Sequence, residues 1–135
     1  MRSSPILVFA LVIAFTAIAG AQSVTPSASP DATLPVKGMV GSQAVWMSPA
    51  GLALYISSAD APGVSNCIAD CANVWPPLAA SPTSAASGDF TIMKRTNPSG
   101  LQWAYKGKPL YTFGPDKPGS SHGDGQGGFS YALIQ

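Results

Sequence analysis

The chain has 135 residues, only 10% of them charged, and its seven Lys and Arg stand against six acids, all of them Asp. A formal net charge of +1 excludes the polybasic surface by which proteins hold nucleic acid or anionic membranes. Without Glu, and with 14 Gly and 13 Pro, the chain lacks the residues that wet the outer faces of long helices; the composition points to an all-β domain of short strands and turns.

In chain order, residues 1–21 read as a cleavable secretory signal peptide. Arg2 precedes an apolar run from Ile6 to Ile18, and small residues then offer Ala17-Ile18-Ala19 or Ala19-Gly20-Ala21 for cleavage, with the cut placed after Ala21. The run is shorter than the roughly 20 residues that cross a bilayer core. No other run replaces it, so no transmembrane segment is expected in the mature chain. No cysteine stands near the cut to take a lipid anchor, and the protein is expected to be secreted or periplasmic. Residues 22–35, rich in Ser, Thr, Pro and Ala, read as a disordered tether. Residues 36–135 suffice for one domain with a modest core.

An internal repeat organises that domain. Residues 51–65 align without a gap on residues 107–121, with identical Gly, Leu, Tyr, Asp, Pro, Gly and Ser. Two copies are too few for a solenoid, so they are expected to form two pseudo-symmetric hairpin units. Each copy is a turn glycine, a strand with Leu-Tyr, and an Asp-x-Pro-Gly turn, whose residues respectively bond the backbone, fix φ and supply positive φ. Alternation places further antiparallel strands at Met39–Met47, Phe90–Arg95, Leu101–Tyr105 and Phe129–Ile134. Ser81–Gly88 and Gly114–Gly128 are loops by composition, and the second is expected to hold the least order. Ser65–Asn73 has no Gly or Pro and reads as a short helix that carries Cys67 and Cys71; Pro76 and Pro77 impose an extended exit from it.

Tyr111-Thr112-Phe113-Gly114-Pro115-Asp116 fits a Y-x-(F/W/Y)-x-x-D pattern, and Cys67-x3-Cys71-Ala72-x2-Trp75-Pro76-Pro77-Leu78 fits the segment that accompanies it. On these motifs the chain resembles, from about Val36 to Gln135, the bacterial "secreted repeat of unknown function" family of predicted lipoproteins. In the first copy, Tyr55 to Asp60, Ser57 stands where the aromatic belongs. The resemblance implies a secreted, envelope-associated protein and no established activity.

Cys67 and Cys71 are the only cysteines. Four apart on a helix they share a face, with Cα atoms near 6 Å, within reach of a disulfide, which is the expected state of an exported pair. If reduced, the same two thiolates form a soft site for Cu(I), with His122, Met47 or Met93 as a third ligand. The C-x3-C spacing is similar to that of Sco-type copper proteins, but Ala72 stands where those have Pro. Copper or thiol redox is thus the alternative to a chain without cofactor. No catalytic residue is assigned. Ser120, Ser121, His122 and Asp124 crowd one loop, yet triad members are brought together by the fold, so His122 is read as an exposed loop residue. Gly123–Gly128 satisfies G-x-G-x-x-G without the helix that would receive a phosphate. Asp60 and Asp116 are read as turn caps. Trp46, Trp75, Trp103, Tyr55, Tyr105 and Tyr111 are read mostly as core, with an exposed subset available as a sugar- or peptide-binding face. The partner expected is an unknown envelope ligand or protein.

Overall fold

The structure is a computed structural model and describes residue 20 and residues 31–135. The signal peptide, apart from Gly20, and residues 22–30 of the tether lie outside the described residues.

Among the described residues, seven short strands and one helix follow in the order β1 (Val36–Val40), β2 (Gln43–Met47), β3 (Tyr55–Ser57), α1 (Asp70–Val74), β4 (Phe90–Thr96), β5 (Ser99–Tyr105), β6 (Lys108–Pro109) and β7 (Phe129–Tyr131). They form three antiparallel sheets of order β1-β2, β3-β7 and β4-β5-β6. The all-β class with one short helix is therefore the observed one. The single strand expected over Met39–Met47 is a hairpin instead. Val40 pairs with Gln43, so Gly41 and Ser42 form a two-residue turn that Gly41 opens at φ 57°.

The repeat shapes the centre of the molecule. The amide of Tyr55 donates to the carbonyl of Tyr111 at 2.8 Å, and the amide of Tyr111 returns the bond to Tyr55 at 3.0 Å. The two Leu-Tyr strands thus run antiparallel across a pseudo-twofold axis. Because side chains alternate along a strand, Leu54 and Leu110 enter one core cluster with Leu78, Phe90, Trp103 and Tyr105. Tyr55 and Tyr111 enter the other, with Cys67, Trp75, Phe113 and Phe129.

Each half is closed by the other. The segment ending the first half returns onto the second: the Leu78 amide donates to the Leu110 carbonyl at 2.9 Å, and Pro76 accepts from the Thr112 amide at 2.9 Å. The end of the second half returns onto the first, where the Ala132 amide donates to Leu54 at 2.8 Å and β7 pairs with β3, Tyr131 opposite Tyr55. At the axis Trp75 stacks on Phe129, centroids 3.8 Å apart and rings 7° from parallel.

Two expectations shift. The helix begins at Asp70 and not at Ser65, so Cys71 lies on it and Cys67 precedes it. Ala69 sits at φ 52°, a left-handed conformation that a right-handed helix cannot run through, and tertiary bonds claim the backbone upstream of it. At the other end of the domain, residues 31–35 of the stretch read as tether pack onto the body. Thr33 Oγ1 accepts from the Trp103 indole at 2.9 Å, Pro35 is buried, and Leu34 lies against the second cluster.

Candidate functional site

The residues that carry the motif meet inside the core, crosswise. Tyr55 of the first copy donates its hydroxyl to Asp116 Oδ2 of the second at 2.5 Å, and Tyr111 of the second donates to Asp60 Oδ2 of the first at 2.6 Å. The strand brings each Tyr to the axis, and the Asp-x-Pro-Gly turn five residues later brings each Asp back under the opposite ring. The second oxygen of each carboxylate takes an amide six residues on. Asn66 donates to Asp60 Oδ1 and His122 to Asp116 Oδ1, both at 2.7 Å. Asp60 is 5% and Asp116 7% exposed, so these are buried carboxylates bonded on both oxygens, as burial requires. Their reading as turn caps covers only the local half of that role.

Burial, and then the hydrogen bond to Asp60, push the Tyr111 phenol up to about 12; burial and the bond to Asp116 push the Tyr55 phenol up further. Both phenols are donors held protonated beside carboxylates, the reverse of what a general base needs.

Around Asp60 the network extends to a residue that sequence pattern did not single out. Ser65 Oγ lies 2.5 Å from the Tyr111 hydroxyl and accepts from Arg95 Nη1 at 2.7 Å. Arg95, 8% exposed, also donates to Gln102 Oε1, to the Cys67 carbonyl and to that of Asn97. Its partners are all neutral, and hydrogen bonds through Ser65 and Tyr111 link it to Asp60. Alternation on β4, set by Phe90 and Ile92, assigns Arg95 to the solvent side; nothing local marks it as buried. Only its place in the domain as the sole Arg hints at a special role.

The cysteine sulfurs stand at disulfide distance, with Cα atoms 5.1 Å apart, and Cys67 is 3% exposed. Extending the repeat alignment one residue past the Asn66 and His122 amides sets Cys67 on Gly123. The stapled loop and the glycine loop therefore do one job, each returning an amide to an aspartate. Gly123 has no room for more: a Cβ there would lie 2.8 Å from Trp75 Cη2 and 2.9 Å from Tyr55 Cζ. The loop expected to hold least order, Gly114–Gly128, is tied by backbone bonds at Phe113–Asp116, Lys117–Ser120, Gly123–Gln126 and Gly125–Phe129.

His122 projects outward, its side chain 65% exposed, with Nδ1 3.7 Å from Asp116 Oδ1 and 3.5 Å from Ser120 Oγ. Ser121 instead contacts the Tyr131 hydroxyl, and Asp124 accepts the Tyr131 amide. Ser121 and Asp124 are thus committed to Tyr131, and only Ser120 stands beside His122, at an exposed 3.5 Å contact. Met47 sits on β2 and Met93 on β4; among the described residues no three His, Cys, Asp or Glu gather as a metal site. Of the aromatics, Trp75, Trp103, Tyr55, Tyr105 and Tyr111 are buried and Trp46 is half-buried against Phe90 and Tyr105. Their main reading as core agrees with this, and the exposed subset offered as a sugar- or peptide-binding face is not found among these six: Leu-Tyr alternation and the two returning strands cover both sides of the sheet. Among the described residues, the large apolar side chains that remain exposed are not aromatic; Met39, Val64 and Ile68 are among them.

Residues 95–130 match the family described as a secreted repeat of unknown function. The resemblance read from the motifs is found again in that segment, which holds Tyr111, Phe113 and Asp116 of the second copy together with Arg95. The secreted-repeat match leaves the Cys67–Leu78 segment and the first copy outside its bounds. No curated protein and no solved structure matches the chain. The matched family is described as secreted, and among the described residues no helix is long and apolar enough to cross a membrane.

Proposed function

We propose that this chain is an exported bacterial envelope protein, released by cleavage near Ala21, whose domain is a non-enzymatic binding or accessory module. The observation that carries the reading is the crossed pairing of Tyr55 with Asp116 and of Tyr111 with Asp60. The family motif's hydroxyls and carboxylates bond one another inside the core, so the motif builds the scaffold and leaves function to its surface. The export signal, the Cys pair at disulfide distance and the secreted family support the location.

The reading is tested by assaying the purified mature protein for hydrolysis of carboxylic esters, phosphate esters and peptides, beside His122→Ala. No turnover above buffer is expected from either. Turnover that His122→Ala removes would overturn the reading. Copper binding or thiol redox at Cys67 and Cys71, with His122 as further ligand, is the competing proposal. It has less support, because Cys67 is buried and Gly123 takes its aligned place in the second copy, after the amide that bonds the aspartate. Thiol titration followed by Cu(I) competition separates the two. The module reading expects no free thiol before reduction and no tight copper uptake after it.

A further inference from the structure

The repeat supplies an internal control: what the fold demands should stand in both copies, and what stands in one alone is free to serve something else. Lys106 and Lys108 are such a pair. Their aligned positions in the first copy are Ala50 and Leu52, so neither ammonium group is needed to build the hairpin. Tyr105 pairs with Lys108, which leaves Lys106-Gly107 as a two-residue turn with positive φ at both, 49° and 80°. Such turns favour Asn, Asp or Gly at the first position. A lysine there is held against its backbone preference, and residues so held cluster at binding sites.

The two lysines border a half-open groove of about 310 Å³. Its apolar side is built by Ile56, Tyr131, Ala132 and Leu133, the last 43% exposed. Lys108 Nζ is anchored on the Asp60 carbonyl at 3.1 Å, and Lys106 Nζ stands 5.5 Å from the centre of the Tyr105 ring. Among the described residues the one ion pair is His122 with Asp116, so no carboxylate there lies within 4.0 Å of either ammonium. Gln135, the last residue, closes one end of the groove, yet neither ammonium has an ion-pair partner among the described residues. Two such charges beside an apolar trough are complementary to a molecule with an anionic head and a short apolar body; the volume falls at the small end of ligand pockets.

We infer that this groove binds a small anionic amphiphile, its carboxylate or phosphate head at Lys106 and Lys108 and its apolar body along Ile56, Tyr131 and Leu133. The inference rests on the binding-module reading and names its ligand class. Titrating the mature, oxidised protein with octanoate, octyl phosphate and octanol, each below its aggregation limit, and following backbone amide NMR shifts tests it. Shifts are expected at residues 56, 105–108 and 130–133 with both anionic probes, and binding tighter than that of octanol. The tighter of the two heads identifies whether the natural ligand is a carboxylate or a phosphate. Lys106→Ala and Lys108→Leu restore the first copy's residues. Both are expected to weaken the anionic probes about two- to fivefold, the scale of an exposed ion pair; Lys106→Ala is expected to keep the wild-type unfolding midpoint, and Lys108→Leu, which gives up the bond to the Asp60 carbonyl, to stay folded with a slightly lower one. Octanol binding as tightly as the anions, affinities unchanged in both variants, or shifts outside the groove would each overturn the inference. Absence of binding by all three probes would overturn it too. The hydrolysis assays judge the module reading separately.

Discussion

At the scale of single residues, the crossed bonds give Tyr55 and Tyr111 a role that neither ring's packing explains. Both are 0% exposed, and each hydroxyl reaches a carboxylate in the other copy. Replacing either by Phe keeps the ring and leaves a buried aspartate short of its strongest donor. Tyr55→Phe and Tyr111→Phe are each expected to lower the free energy of unfolding by about 1.5–3 kcal/mol, the range for hydrogen bonds to charged groups, as read by denaturant titration. The same phenols set an alkaline limit. The folded state holds the Tyr111 proton to about 12 against the ordinary 10.0, so between those values the unfolded chain binds fewer protons and stability falls as pH rises. Stability from this source is complete below pH 10 and lost progressively up to about 12, with the Tyr55 contribution persisting higher still. Tyrosinate absorbance should therefore show two phenols that ionise only together with unfolding.

At the scale of elements, the packing of the second-half loop depends on two of its glycines. Gly123 allows the loop to lie against Trp75 and Tyr55 while its amide, 3.2 Å from the Tyr55 hydroxyl, adds a donor. A methyl group would meet ring atoms on both, and both rings are buried and stacked, Tyr55 on Tyr131 and Trp75 on Phe129. Gly123→Ala is expected to cost about 1–3 kcal/mol through overpacking. Gly125→Ala, where a Cβ has open space but φ is 77°, should act through backbone strain alone and leave the indole environment unchanged by near-ultraviolet circular dichroism. Several elements were legible in the sequence because their cause is local. The alternation of Phe90–Arg95 and Leu101–Tyr105 gave strands that the structure extends only to Phe90–Thr96 and Ser99–Tyr105. The helix start was not legible. Asp60 takes the Asn66 amide and Arg95 takes the Cys67 carbonyl, and these contacts come from residues six and 28 positions away, beyond the reach of helix periodicity.

At the scale of the whole molecule, the repeat announced two similar units but not their exchange of ends. The identities end at Ser65 and Ser121, and the gapless register is lost before Trp75–Leu78 and Phe129–Ala132, which correspond in space, both crossing to the opposite half. After the aromatic that opens each, Pro76, Pro77 and Leu78 stand against Ser130, Tyr131 and Ala132, which leaves a sequence comparison little to find. The consequence is that neither half owns its core: Leu54 and Leu110 share one cluster, Tyr55 and Tyr111 the other. Cutting the intact mature chain once, at a protease site placed in the exposed Ala85–Ser87 stretch between the halves, tests this most directly. The crossed architecture predicts that the nicked protein elutes at the size of the whole domain and unfolds in one cooperative transition. Two halves that separate on size exclusion, or melt in two steps, would contradict it.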